Sequence, residues 1–122
     1  MSLALVVDDD PVTRLVLCHM LRSRGWTVSQ AADAPDAVGM VGETPYDLVI
    51  SDFHLPSGTG VDVLDAVERA ESSPAFLLVT GILEHSSLSA EIASRITAQL
   101  TKPVSSEDLG AALDVLFPPK RE

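Results

Sequence analysis

Cysteine occurs once in the 122 residues, at Cys18, so the chain can form no internal disulfide and no thiolate metal site. Cys18 falls inside a helical pattern and reads as a small packed side chain. Aromatic residues are nearly as scarce, five in all. A core must therefore be built from Val, Leu, Ile and Ala, a mix that suits apolar strands laid between helices. Uninterrupted apolar runs reach about five residues, against the ~20 that span a bilayer. No secretory leader is visible, because the first apolar run begins at Leu3. The expectation is a soluble cytoplasmic protein without membrane contact. Positive charge is also short: eight Lys and Arg face 18 Asp and Glu, for a net charge of −10. Nucleic acid would be repelled by such a surface, so direct DNA or RNA binding is not expected; cations and basic partners are favoured.

What is present comes in an alternating rhythm. Residues 3–7, LALVV, predict a first strand. Asp10 then stands as a helix cap with Pro11 at the first helical position, and Gly25 ends the helix. The apolar face of that helix is broad (Val12, Leu15, Val16, Leu17, Met20, Leu21), so caps and length carry it more than periodicity does. Residues 26–30 predict a second strand. Asp33 caps a helix with Ala34, Ala37, Val38 and Val41 on one face, closed by Gly42. Residues 46–51, YDLVIS, predict a third strand, and residues 55–60, LPSGTG, a loop of turn formers. Val63, Ala66, Val67 and Ala70 share the next helical face. Residues 75–80 predict a fourth strand, residues 84–95 a weaker helix with Leu88 and Ile92 four apart, and residues 97–101 a short fifth strand. Ser105 caps a last helix, with Asp108 placed for a capping box. Strands alternating with helices through short connections predict an α/β domain with a parallel sheet covered on both faces. Ligands of such sheets bind beyond the carboxyl ends of the strands.

Residues 5–10, LVVDDD, place three carboxylates behind a buried strand. Two like charges ~4 Å apart cost roughly 4 kcal/mol at an effective dielectric of about 20, so water or a cation must compensate. The other predicted strands deliver Asp52, Thr80 and Lys102 to the same rim. Lys102 is one of two lysines in the chain and the one inside the predicted fold. Carboxylates, a hydroxyl and an ammonium together make a site for a hard cation and an oxyanion. Mg2+ prefers oxygen ligands, typically one or two carboxylates plus phosphate oxygens. An Asp carboxylate can attack phosphorus to form an acyl phosphate, whose charge needs neutralising on several sides. Asp52, standing alone at its strand end, is the candidate nucleophile. Asp8 and Asp9, adjacent, suit shared Mg2+ binding; Asp10 is chiefly the helix cap. Lys102 and the Thr80 hydroxyl would face the phosphoryl oxygens. His19, His54 and His85 read as surface side chains.

These residues resemble the receiver domain of bacterial two-component response regulators. LVVDDDP is similar to the family's acidic-pair motif. DLVISDFHLPSGTG is similar to its phosphoacceptor motif, here Asp52, Pro56 and Gly60 at four-residue intervals; LLVTG and LTKPV are similar to its Thr and Lys-Pro elements. The resemblance covers about residues 3–117. It implies a flavodoxin-like (βα)5 three-layer sandwich whose parallel sheet has the order 2-1-3-4-5, with residues 1–118 as the receiver domain and 119–122 as a tail or the start of a linker. It implies that Asp52 accepts a phosphoryl group from a phosphohistidine on a sensor histidine kinase or a histidine phosphotransfer protein. Asp8, Asp9, Asp52 and the His54 carbonyl would hold Mg2+, and Thr80 and Lys102 would contact the phosphoryl group. The chain would then be a signalling domain rather than an enzyme, forming a homodimer on phosphorylation. Ile82 and His54 would tune the lifetime of the aspartyl phosphate. One position departs from the family: Gln99 stands where an aromatic residue is usual. Output through a different face is the preferred reading of that change, and Gln99 swinging with Thr80 through a hydrogen bond is the other.

Two further readings compete. DDDPV also reads as D-x-D-x-V, the nucleophile motif of haloacid-dehalogenase-type phosphatases, with Asp8 as nucleophile and Asp10 as acid/base. It leaves the SDFHLPSGTG stretch unexplained and finds no later acidic pair. A pseudo-receiver, keeping the fold without the chemistry, is disfavoured by the complete Asp, Thr and Lys set.

Overall fold

The computed structural model describes residues 2–81 and 89–118. Its elements in chain order are β1 (Leu3–Val7), α1 (Pro11–Arg22), β2 (Thr27–Ala31), α2 (Ala34–Glu43), β3 (Leu48–Asp52), β4 (His54–Leu55), β5 (Gly58–Thr59), α3 (Gly60–Arg69), β6 (Ala75–Thr80), α4 (Ala90–Arg95), β7 (Ala98–Thr101) and α5 (Ser106–Leu116). The main sheet runs β2-β1-β3-β6-β7 with every pairing parallel, which is the order 2-1-3-4-5 of its five long strands.

Side chains alternate across the strands, so the central strands β1, β3 and β6 feed two cores. Leu5, Val7, Val49, Phe76 and Leu78 pack on one face with Ala37, Val41, Val63, Leu64 and Val67 of α2 and α3. Ala4, Val6, Leu48, Ile50, Leu77 and Val79 pack on the other with Leu17, Cys18 and Leu21 of α1 and Leu109 and Leu113 of α5. Burial on both faces explains why the strands read as continuous apolar runs. Burial accounts for only part of the broad apolar face of α1. Leu17, Cys18 and Leu21 turn inward, whereas Val12, Leu15 and Val16 are 68, 56 and 45% exposed.

Asp10 and Asp33 cap α1 and α2, accepting from Val12 N and Asp36 N, and Ser105 caps α5 by accepting from Asp108 N. Several strand ends shift by one or two residues from the sequence reading, and three features differ from it in kind. Gly25, with φ +89, lies beyond α1, which ends at Arg22. Gly42 lies inside α2, because Thr44 forms the cap. The LPSGTG stretch is no plain loop: β4 and β5 pair antiparallel, and Thr59 and Asp62 form a reciprocal capping box at α3. Of the weaker helix, residues 89–95 fall among the described residues: Ser89 caps Ala90–Arg95, and none of that helix is fully buried. It is tied by Ile92, which packs partly buried against the core, and by Arg95, whose guanidinium meets both Asp65 and Glu68 of α3. Residues 82–88, including Ile82 and His85, lie outside the described residues, as do residues 119–122.

Candidate functional site

Register fixes which polar side chains share the rim. Val7 pairs with Ser51 and Ser51 with Leu78, so Asp8 and Asp52 follow one level further along their strands. Asp52 itself pairs with Val79, and Thr80 with Thr101, after which comes Lys102. The Lys102 amide donates to the Thr80 carbonyl at 2.7 Å, holding the ends of β6 and β7 together. The Lys102–Pro103 peptide is cis.

Asp8 is buried and held at four points. Its amide donates to the Ala31 carbonyl at 3.1 Å, and its own carbonyl accepts from Arg14 Nη1 at 2.7 Å. Its Oδ1 accepts from the Asp10 amide at 2.9 Å, and its Oδ2 lies 3.2 Å from Lys102 Nζ. That last distance is ionic, yet the ammonium is not aimed at Oδ2, which remains buried without a hydrogen-bond donor. Lys102 Nζ is aimed at Asp52 Oδ2, 2.8 Å away. Oxygens of Asp8, Asp9 and Asp52 all lie within 4.8 Å of one another, with Asp9 exposed and the other two buried.

Charge is unbalanced in this cluster. Three carboxylates against one ammonium leave a formal −2. Burial pushes the Asp52 carboxyl above the usual range; Lys102 and the His54 amide pull it back, and the Asp8 charge adds to the rise. For Lys102, burial works against the ammonium, but Asp52 and Asp8 together hold its pKa above the ordinary value. One cation is shared between two buried anions, so Lys102 has more counter-charge than it needs and Asp52 has less. A divalent cation would balance the sum. The orphaned Asp8 Oδ2 and the oxygen-only donor set fit a hard ion such as Mg2+.

The structure thus brings together Asp8, Asp9, Asp52 and Lys102. His54 follows Asp52 in the β4–β5 hairpin. Its imidazole is exposed, edge-on to Phe53 at 5.1 Å, and its amide donates to the Asp52 carboxylate. Thr80 is fully buried at the end of β6, and its hydroxyl accepts from Gln99 Nε2 at 3.2 Å. The sequence reading missed Arg14, which also donates from Nε to Gln30 Oε1 at 3.1 Å and so links α1, β2 and the Asp8 main chain. Its signal was available: Arg14 lies one helical turn after the Asp10 cap, where a long side chain reaches back to the strand end.

Gly60 shows why the hairpin motif needs its glycine. The Gly60 amide donates to the Phe53 carbonyl at 2.7 Å. A Cβ on Gly60 would stand 2.7 Å from the Asp52 carbonyl oxygen and 3.1 Å from Phe53 Cα, both main-chain atoms that cannot swing aside. Gly60→Ala is therefore expected to lower stability by about 1–3 kcal/mol, read from the urea midpoint. It should weaken Mg2+ binding too, because the atoms displaced belong to Asp52.

The family model for the response regulator receiver domain matches residues 4–114. The chain is 27% identical over 117 residues to the chemotaxis protein CheY of Pseudomonas aeruginosa, covering 93% of this chain and 94% of that one. It is similar to the receiver domain of a sensor histidine kinase from the same bacterium, crystallised with magnesium in its active-site cleft. That TM-score is 0.81 at 25% identity, over 94% of this chain and 96% of the other. A response regulator receiver domain of Clostridium thermocellum has the same fold, with a TM-score of 0.85 at 23% identity over 96% and 94% of the two chains. A matching family model over most of its length, with the sheet order and the acidic cluster in place, establishes that the chain belongs to the response regulator receiver domain family.

Proposed function

We propose that Asp52 is the phosphoacceptor of a two-component phosphorelay, taking its phosphoryl group from a phosphohistidine of a sensor histidine kinase or histidine phosphotransfer protein. The observation that carries this is the convergence of Asp8, Asp9, Asp52 and Lys102 on one rim with an uncompensated charge. Asp8, Asp9, Asp52 and the His54 carbonyl would hold Mg2+. When bound, that ion supplies the positive charge that lets an anionic carboxylate meet an anionic phosphoryl group. Asp52 attacks phosphorus; a P–O bond forms as the P–N bond breaks, and the imidazole nitrogen keeps the electron pair. Lys102 neutralises charge on the transferring group, and the Thr80 hydroxyl donates to one of its oxygens. Catalysis extends no further than the domain's own phosphorylation and dephosphorylation.

Continuity of surface supports a protein donor. Lys102 lines both the acidic cluster and an adjoining groove formed by Val12, Thr13, Val16, Leu17, Pro103 and Val104. A partner seated on that apolar groove would present its phosphohistidine to Asp52. Among the described residues no helix is long and apolar enough to cross a membrane; the proposed setting is the cytoplasm.

The test is incubation with acetyl phosphate, with and without Mg2+, followed by intact mass. A phosphorylated species that forms with Mg2+ and is suppressed by EDTA is expected; no adduct at saturating donor contradicts the proposal. Mg2+ alone should stabilise the fold, because it binds only the assembled cluster. At one hundred times its Kd the gain is about 2.7 kcal/mol, a Tm rise of several degrees by calorimetry.

A further inference from the structure

We propose that Gln99 is a positioning residue for phosphoryl transfer: its amide donates to the Thr80 hydroxyl and thereby sets Thr80 as a proton donor toward the group on Asp52. The proposal rests on the reading of Asp52 as phosphoacceptor and adds to it the residue that orients one of its contacts.

Register places the pair. Thr80 pairs with Thr101 across β6 and β7, and Gln99, two residues before Thr101, projects on the same face of β7. Diagonal neighbours of this kind are within reach of a long side chain, and Gln99 Nε2 lies 3.2 Å from Thr80 Oγ1. Thr80 is fully buried and Gln99 half-buried. The Thr80 main chain is fixed through the Lys102 amide at 2.7 Å, so the side-chain torsions are the freedom that Gln99 restricts.

Polarity then decides the outcome. A hydroxyl carries one proton and two lone pairs, whereas an amide NH2 only donates. Once Gln99 fills a lone pair of Oγ1, the Thr80 proton cannot point back at that nitrogen. It is left to point toward another acceptor, and a phosphoryl group on Asp52, which pairs with Val79 next to Thr80, would supply one. A chain from amide to hydroxyl to phosphoryl oxygen also polarises each bond in turn. An apolar side chain at position 99 would leave the hydroxyl rotor unset. A carboxylate there would reverse the chain by accepting the Thr80 proton.

The experiment measures the Mg2+-dependent rate of labelling by acetyl phosphate in wild type, Gln99→Leu and Gln99→Glu. Gln99→Leu should slow the saturated rate about tenfold, and Gln99→Glu about a hundredfold, the usual effect of losing one oxyanion donor. The donor concentration at half-saturation, and the Mg2+ Kd of Gln99→Leu, should stay at wild-type values, since neither the metal nor the ground-state donor is touched. The cycle with Thr80→Val keeps the test sound if Gln99→Glu folds poorly: in that background Gln99→Leu should have no further effect. Equal rates for wild type and Gln99→Leu, equal losses for the Leu and Glu variants, or full additivity with Thr80→Val would each overturn the proposal. A wild-type protein that takes no label with Mg2+ and donor would instead overturn the phosphoacceptor reading beneath it.

Discussion

Asp52→Asn should take no phosphoryl label at any donor concentration, a loss of about a thousandfold or more, measured by intact mass with acetyl phosphate and Mg2+. The amide is nearly the same size as the carboxylate but cannot act as the nucleophile. The same substitution should stabilise the metal-free fold. Burial, with the Asp8 charge adding to it, raises the Asp52 pKa above its unfolded value. Any stability from a raised carboxyl is present below its unfolded pKa and is lost as pH rises through the folded pKa. Near neutral pH the ionised Asp52 therefore opposes folding, and removing its charge raises Tm. In wild type, acidification from neutrality should raise the same contribution; in Asp52→Asn that part of the pH response should vanish. The Tm gain from Mg2+ should shrink as well, because one carboxylate of the cluster is gone. A Tm below wild type without metal would show that the Asp52–Lys102 bond outweighs the burial cost.

Lys102→Met separates phosphoryl chemistry from metal binding. Lys102 lies within 3.2 Å of both buried carboxylates and is the ammonium in the cluster. Without it Asp8 and Asp52 face each other uncompensated. Breaking a buried pair from one side costs about 3–5 kcal/mol; with the Lys102 side chain 29% exposed, about 2 kcal/mol is the better expectation. Mg2+ should bind at least as tightly as in wild type and restore much of that loss, because the site is then more negative. Labelling should nonetheless slow about a hundredfold, since charge on the transferring group loses its second neutralising partner. Urea midpoints with and without Mg2+, beside the labelling rate, distinguish these effects. A variant that labels at the wild-type rate would make Lys102 a structural counter-ion.

Much of this was legible in the sequence because the signals were local. The order of strands and helices followed from short apolar runs and from caps such as Asp10, Asp33 and Ser105, each of which makes its expected bond. Asp8, Asp9, Asp52 and Lys102 could be placed on one rim because a parallel sheet aligns strand ends. Features made by non-local approach were not legible. The capping box at Thr59 and the contact of Gly60 with the Asp52 carbonyl depend on how the hairpin folds back on β3. Arg14 was missed although its place one turn after the Asp10 cap put the Asp8 carbonyl within its reach. The last helix before β7 gave a weak pattern because, of its described residues, Ile92 is the one apolar side chain against the core and Arg95 adds a tie by charge. At Gln99 the sequence left two routes open, and the amide does reach the Thr80 hydroxyl.

The phosphatase reading of DDDPV fails on local chemistry as well as on family. Asp10 would have to serve as acid/base, but its carboxylate accepts from the Thr13 hydroxyl at 2.7 Å and from the Val12 amide at 3.1 Å. Those bonds, the Thr13 hydroxyl foremost, hold its pKa below the usual carboxylate range, the wrong direction for a proton donor near neutrality. Asp8 has one oxygen committed to the Asp10 amide.

Which carboxylate becomes esterified can be read directly. Label the wild-type protein with acetyl phosphate and Mg2+, trap the acyl phosphate by borohydride reduction, and map the modified residue by peptide mass spectrometry. Modification at Asp52 alone is the predicted result; modification at Asp8, with Asp52 untouched, would contradict it.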